Sequence, residues 1–185
     1  MDLKDFIKVT KIFTKDECND ALQNHLAKTW EPHRWFDPVK KEEFTKDIDP
    51  YNNIFDSEFS NVLCERVMHS TVDYMRNLSQ VGVVNFLSMP RLNRYQVGQE
   101  MTLHPDHIQS LFDGERKGIP VMSYIVLLND EFEGGNFEYK FADGSTHKVD
   151  LTAGDLVMWP SLFLYPHRIT PVTKGERISV VVWGW

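Results

Sequence analysis

Three side chains in the C-terminal half carry the donor chemistry of a metal site. His104 and Asp106 stand two residues apart. On a strand alternate residues project from the same face, so one imidazole and one carboxylate reach the same ion. His167, which opens the segment His167-Arg168-Ile169-Thr170-Pro171-Val172-Thr173-Lys174-Gly175-Glu176-Arg177, is the candidate third donor. Two imidazoles and one carboxylate on one side of a metal leave coordination positions open, as non-heme ferrous sites do, whereas closed structural sites leave none. A His-x-Asp pair alone arises by chance in a chain with seven histidines, and Arg177, ten residues past His167, gives the set its specificity. Two antiparallel strands joined by a turn at Pro171 and Gly175 would bring its guanidinium into the pocket of the imidazole. That planar fork of donors grips a carboxylate in two parallel hydrogen bonds and suits a dicarboxylate held beside the metal. Ser179, two residues further, points the same way and has a hydroxyl to donate. His107 competes as a ligand, but strand alternation turns it away from Asp106. His25, His33, His69 and His147 have no carboxylate at matching spacing and read as surface or helix-face residues.

The elements that must position these groups divide the chain. Up to about residue 85 the pattern is helical. Thr14 and Glu17 form a Ser/Thr-x-x-Glu capping box for a helix running to about Thr29. Asp56 or Ser57 caps a second, ending near Gln80, whose Phe59, Val62, Leu63, Val67, Tyr74, Met75 and Leu78 recur at three- and four-residue steps. Between them Glu31 to Asn53, with Pro32, Pro38, Pro50 and several aromatics, reads as a long loop and a possible lid. From Pro90 onward short apolar runs alternate with Gly, Pro and Asp punctuation. The predicted strands are Leu92 to Val97, Glu100 to Asp106, Pro120 to Leu128, Asn136 to Phe141, Thr146 to Asp150, Leu156 to Trp159, Tyr165 to Thr170 and Arg177 to Trp183. Eight strands suit a jelly roll. A hairpin turns through Ala142-Asp143-Gly144-Ser145, Gly134-Gly135 and Gly154-Asp155 serve turns needing positive φ, and Pro105 places its strand at an edge or a bulge.

The order Tyr95-x-x-Gly98-Gln99, His104-x-Asp106, Leu128-Asn129-Asp130 with Gly134-Gly135, Gly154-Asp155-Leu156, then His167 with Pro171-Val172 and Gly175-x-Arg177 resembles the 2-oxoglutarate and Fe(II)-dependent oxygenases, in particular their prolyl 4-hydroxylase-like branch. The resemblance covers residues 90–185. It implies a mostly β fold, a double-stranded β-helix (jelly roll) supported by two N-terminal helices, forming one domain over 1–185. It implies that His104, Asp106 and His167 hold Fe(2+), and that Arg177 pairs with the far carboxylate of 2-oxoglutarate, with Tyr95 and Ser179 close to that co-substrate. Trp183, six residues past Arg177, together with Trp35 and Arg94, is a candidate substrate contact; Trp183 and Trp185 alternatively pack the core or a lid. The implied reaction consumes O2, releases succinate and CO2, hydroxylates a peptidyl proline and draws on ascorbate as reductant. One departure loosens the prolyl branch: the position of a co-substrate tyrosine in some prolyl hydroxylases is Leu127, and Ser179 is the replacement donor.

Composition narrows the rest. The chain has 185 residues, is 42% hydrophobic and 25% charged, and carries a formal charge of -7, so it has material for one packed core and no basic stripe for nucleic acid. Its longest apolar run, Val121 to Leu128, is too short for a membrane helix, and the charged N-terminus is no signal peptide. These features point to a cytoplasmic protein whose Cys18 and Cys64 are ordinary thiols. A protein or peptide substrate is expected, with a free amino acid or small metabolite as the alternative. A non-catalytic jelly-roll binder would not need Arg177, and a zinc hydrolase would want a general base that the spacing does not supply.

Overall fold

Along the last strand Ile178, Val180 and Val182 face one way while Val181 and Trp183 face the other, and this alternation separates the two cores of the molecule. The computed structural model describes residues 2–25, 29–37, 39–54, 58–78, 84–106 and 119–185. After a short 3-10 turn, the chain forms β1 (Lys8–Lys11), α1 (Lys15–His25), β2 (Glu31–Pro32), β3 (Trp35–Asp37), β4 (Glu42–Phe44), β5 (Tyr51–Ile54) and α2 (Glu58–Asn77). There follow β6 (Arg91–Tyr95), β7 (Met101–His104), β8 (Met122–Leu127), β9 (Phe132–Gly134), β10 (Phe137–Lys140) and β11 (Thr146–Val149). The chain closes with β12 (Asp155–Pro160), β13 (His167–Ile169), β14 (Val172–Gly175) and β15 (Arg177–Gly184).

Among the described residues, a seven-stranded sheet runs β1-β12-β8-β15-β6-β5-β2 and a four-stranded sheet runs β11-β10-β13-β7, with β14-β9 and β3-β4 as separate pairs. All pairings are antiparallel. The molecule is thus mostly β with two helices, and the larger and smaller sheets face each other as in a jelly roll. One core lies between the large sheet and the helices, with Leu63, Val67, Tyr124, Leu156 and Val180 at its centre. The other fills the space between the sheets with Tyr95, Phe137, Tyr139, Val157, Trp159 and Ile169. Helix α2 buries Ser60, Leu63, Val67, Thr71, Tyr74 and Met75, the three- and four-residue stripe of a helix docked on a sheet. No described helix is long and apolar enough to cross a membrane.

All eight predicted strands form, with their ends shifted in either direction by at most two residues. Both capping-box bonds are present: Thr14 N donates to Glu17 Oε2 at 2.8 Å and Glu17 N to Thr14 Oγ1 at 3.2 Å. Gly144 turns its hairpin at φ +83°. The proposed caps Asp56 and Ser57, the last predicted turns of both helices near Thr29 and Gln80, and His107 lie wholly or partly outside the described residues. Cys18 is buried, Cys64 half-buried, and neither is in a disulfide.

Two expectations are corrected. The first third is not purely helical, since β1 extends the large sheet along β12. The Glu31 to Asn53 segment is not a plain loop: β2 pairs with β5, β5 adds to the edge of β6, and β3 and β4 form a hairpin between them. These strands have two to four residues and mostly polar side chains, so their order comes from pairing and not from a pattern of their own. Buried Asp49 fixes the excursion by accepting bonds from Trp35 Nε1 at 2.7 Å and Lys46 N at 3.2 Å.

Gly154 joins the two ends of the fold. Its carbonyl accepts from Ile12 N at 3.0 Å and Phe13 N at 3.2 Å, its φ is +89°, and a Cβ there would lie 2.0 Å from the Phe13 carbonyl oxygen. Gly154→Ala therefore combines left-handed strain with a backbone clash and is expected to cost over ~2 kcal/mol. That corresponds to a fall in Tm of roughly 5 °C or more for a domain of this size; a Tm within ~1 °C of the parent would refute this account.

Candidate metal centre

The two histidines meet because β7 and β13 are neighbours: His104 and His167 are paired across the ladder, with ring centroids 4.6 Å apart. Strand β7 is the edge of the small sheet and ends at His104, because Pro105 has no N–H to continue the ladder. Asp106 therefore lies just past the strand and not on it, yet its carboxylate still turns toward both rings. Its Oδ1 is 3.6 Å from His104 Nε2 and 3.8 Å from His167 Nε2, and one ligand atom from each residue falls within 4.8 Å of the others.

The backbone sets the tautomer of both rings. His104 Nδ1 lies 2.7 Å from the Thr102 carbonyl oxygen, and His167 Nδ1 lies 3.0 Å from that of Tyr165. A carbonyl only accepts, so each Nδ1 carries the proton and each Nε2 presents a lone pair toward Asp106. Burial pushes the His167 pKa down to about 4 against the pull of Asp106, so its ring is neutral at pH 7. Burial alone would raise the Asp106 pKa, but His167, His104 and the Ser123 hydroxyl outweigh it and keep the carboxyl well below its usual range. A neutral imidazole at His167 and an ionised carboxylate at Asp106 are the states that a divalent metal requires of such ligands.

Aromatic rings close one side of the site. Trp159, Phe137 and Tyr139 pack around the His167 ring at 4.9, 5.5 and 5.9 Å, and Trp35 meets His104 edge-on at 5.5 Å. The donors open into a cavity of about 260 Å³ whose walls include Tyr95, Ile125, Ile169 and Trp183.

Arg177 is not in a hairpin with His167, as the turn at Pro171 and Gly175 suggested, and it lines a separate hollow of about 110 Å³ with Leu127, Asn136 and Phe137, not the donors' cavity. The intervening β14 pairs with β9, so β13 and β15 belong to different sheets and face each other across the inner core. Arg177 is only 1% exposed, and among the described residues it has no ion-pair partner. Its Nη1 donates to Ser179 Oγ at 2.7 Å, its guanidinium carbon is 5.3 Å from the Tyr95 ring centroid, and its buried Nε has no partner. Burial lowers its pKa, but an arginine stays protonated. Asn129 fixes the backbone on either side: its Nδ2 donates to the Glu176 carbonyl at 2.6 Å, and its Oδ1 accepts from Ile178 N at 2.8 Å. Leu127 is paired with Ser179 in register, so the hydroxyl stands beside the position that lacks a tyrosine.

Of the substrate candidates, Trp183 and Trp35 line the cavity and Arg94 does not. Arg94 Nε donates to Glu176 Oε1 at 2.6 Å and its guanidinium packs on Trp30, on the helix side of the sheet. Alternation from Tyr95 explains this, since Asn93 and Arg91 share its face and Arg94 does not. Both line the cavity and both were missed, although counting back by two from Tyr95 identifies them. Trp185 stacks on Phe86 at 5.7 Å.

His33 is also corrected: it is buried, not a surface residue, with Nδ1 2.9 Å from Asn52 Nδ2. Burial, with Arg91, His104 and Lys46 nearby, pushes its pKa down to about 4. The unfolded chain takes up this proton near pH 6.5 and the folded one only near pH 4, so acidification through that window favours unfolding. His33→Gln is expected to flatten the acid limb of the metal-free protein's stability curve by up to about 1.4 kcal/mol per pH unit between pH 6 and 4. Denaturant titrations at several pH values measure it, and an unchanged slope would contradict the burial account.

A double-stranded β-helix with a His-Asp-His donor set on one sheet and a buried arginine on the facing one is the architecture of a ferrous oxygenase. Residues 90–185 match the model of the 2OG-Fe(II) oxygenase superfamily, and the chain belongs to that superfamily. It is 28% identical over 180 residues to a PKHD-type hydroxylase of Shewanella sp. (strain MR-7), covering 96% of this chain and 76% of the relative. To a PKHD-type hydroxylase of Idiomarina loihiensis it is 39% identical over 112 residues, 57% of this chain and 49% of the relative, so the match spans about half of that protein. A prolyl-4-hydroxylase from Pseudomonas putida superposes with a TM-score of 0.66 at 18% identity, covering 97% of this chain and 91% of the other. A Trichoplax adhaerens prolyl hydroxylase, solved with a hypoxia inducible factor peptide fragment, gives a TM-score of 0.72 at 11% identity and covers 97% of this chain and 83% of its own. At such identities the likeness is one of fold. Superfamily membership implies Fe(2+), 2-oxoglutarate and O2.

Proposed function

We propose that this protein hydroxylates an unactivated C–H bond of a peptidyl proline in a 2-oxoglutarate-dependent reaction. The observation that carries this reading is the convergence of three donors on the small sheet in a fold whose facing sheet buries a guanidinium, Arg177, that lacks a counter-ion. The donor set fits ferrous iron: both Nδ1 atoms bond backbone carbonyls, so the two Nε2 atoms and the ionised Asp106 carboxylate are the donors that would hold the ion, and three protein donors would leave further positions for 2-oxoglutarate and O2. The unpartnered Arg177 Nε fits the far carboxylate of 2-oxoglutarate.

In this assignment His104, Asp106 and His167 hold the iron. Arg177 takes the far carboxylate of the co-substrate, Ser179 adds its hydroxyl proton, and Tyr95 walls the same pocket. When bound, iron would let O2 act as the oxidant, one oxygen atom going to the substrate C–H bond and the other to 2-oxoglutarate, which is oxidised to succinate and CO2. The protein orients the reactants and keeps them dry: Trp159, Phe137 and Tyr139 exclude water behind His167, and the 31–53 excursion covers His104 through Trp35. Trp183 and Trp35 flank the substrate, and ascorbate keeps the iron ferrous. The domain is a single catalytic unit in which 90–185 forms the core.

The test has two stages. Under anaerobic conditions Fe(II) and 2-oxoglutarate together should produce a weak visible charge-transfer band that zinc does not give. In air, proline-containing peptides should gain one oxygen atom by mass spectrometry, in step with succinate release. A protein that gives no band and no succinate is not such an oxygenase, and one that gives both but modifies no peptide refutes the peptidyl-proline assignment.

A further inference from the structure

The cavity is also lined by a half-buried cation that the reading above does not use. Arg91 lies on the inner face of β6, opposite Val181 on β15, and lines the cavity with the three donors. Its Nε is buried without a hydrogen-bond partner, and among the described residues no carboxylate lies within ion-pair distance of it. Glu31 shares a shallow depression with the outer side of Arg91 but makes no ion pair with it. The guanidinium is held 5.0 Å from the centroid of the Trp183 ring, whose buried Nε1 also has no partner. Both donors are buried in the cavity wall and lack an acceptor, a costly arrangement unless a ligand completes it.

Arg91 and Arg177 serve different ligands. Val181, the partner of Arg91 in register, is four residues along β15 from Arg177, a separation of roughly 13 Å at strand spacing. Arg91 is at the metal end, where Asp106 is the carboxylate whose field reaches it, whereas Arg177 is at the far end beneath Tyr95. A dicarboxylate anchored on Arg177 with its near end at the donors leaves Arg91 unused. The formal charges agree: a dication, Asp106, Arg177 and doubly ionised 2-oxoglutarate cancel, and Arg91 adds one uncompensated positive charge.

Resting on the iron and 2-oxoglutarate assignment, we propose that Arg91 selects the substrate by binding a carboxylate on it, with Trp183 Nε1 donating the second hydrogen bond. The substrate is therefore an acid at a point close to the carbon that reacts. The carboxylate belongs either to a free acid or to the C-terminus or an acidic side chain of a peptide.

The test uses the full chain loaded with Mn(II) and 2-oxoglutarate, with paramagnetic relaxation of probe protons as the readout. The probes are N-acetyl-L-proline, its primary amide, and a pair of blocked proline peptides that differ by Glu against Gln next to the proline. In the parent, at least one acid should relax about ten-fold more strongly than its neutral partner, and which pair shows it identifies the source of the carboxylate. Arg91→Met should abolish that preference and Arg91→Lys should retain part of it. Equal relaxation by acid and neutral partner in the parent, or no relaxation by any acid, overturns the proposal without any variant. So does an Arg91→Met protein that keeps the preference, or an Arg91 variant whose 2-oxoglutarate requirement rises as that of an Arg177 variant does. Failure of Mn(II) or 2-oxoglutarate to bind before any probe is added is seen separately in water and 2-oxoglutarate proton relaxation; it overturns the underlying assignment and the proposal with it.

Discussion

His167→Ala is expected to lower metal affinity by at least about 100-fold and to reduce 2-oxoglutarate-dependent succinate release to background. Loss of a group that merely orients a ligand costs 10- to 100-fold in affinity, and His167 is proposed as a ligand itself. Its Nε2 is one of three donors within 4.8 Å of one another, and two donors from the edge of one strand leave an ion exposed to water on most sides. The measurement is the rise in Tm on adding Mn(II), which reports binding to the folded state through mass action. The parent should show the shift and His167→Ala should not. The imidazole also fills space among Trp159, Phe137 and Tyr139, so its loss opens a hole in the inner core and lowers the Tm of the metal-free protein. Asp106→Ala separates the two effects, because Asp106 lies past the end of β7 and meets the imidazoles only at their Nε2 edges, so its removal should abolish the metal-induced shift with less core damage. An Asp106→Ala protein that responds to Mn(II) as the parent does would remove Asp106 from the metal site.

The sheet core was legible in the sequence because its strands are long enough to alternate and are bounded by residues with strict backbone roles. Gly144 and Gly154 punctuate at positive φ, and Ile178, Val180 and Val182 alternate with polar and aromatic partners. The strands before α2 were illegible for the opposite reason: Glu31–Pro32 and Glu42–Phe44 have no apolar alternation and become strands through their partners. Spacing put His104 and Asp106 on one side, but only tertiary pairing of β7 with β13 brings His167 opposite His104. Arg94 and Arg91 show what a local rule decides. Both are arginines on β6, and their parity relative to Tyr95 sends one to Glu176 on the helix side and the other into the cavity. His33 could not be found this way, since its burial depends on Asn52 of β5 and on Trp35 of the hairpin.

Arg177→Met is expected to raise the 2-oxoglutarate concentration for half-maximal succinate release by about 100-fold or more, without lowering the Tm of the ligand-free protein. Removing one partner of a buried, hydrogen-bonded charge pair costs about 2–5 kcal/mol of binding, and 1.4 kcal/mol is a factor of ten. In the ligand-free fold the same guanidinium is a burden, since it is 1% exposed and its Nε is unpartnered. A methionine of similar length removes that uncompensated charge and keeps apolar contact with Tyr95, at the expense of the bond to Ser179. The two effects run in opposite directions, which a merely damaged fold would not produce. At a hundred-fold excess over its dissociation constant, 2-oxoglutarate should stabilise the metal-loaded parent by about 2.7 kcal/mol, and this gain should vanish in Arg177→Met. Arg177→Lys should recover part of it, because an ammonium keeps the charge but not the two-pronged grip. A 2-oxoglutarate requirement within three-fold of the parent's in Arg177→Met would mean that the co-substrate carboxylate is held elsewhere, with Arg91 a cation that lines the donors' cavity.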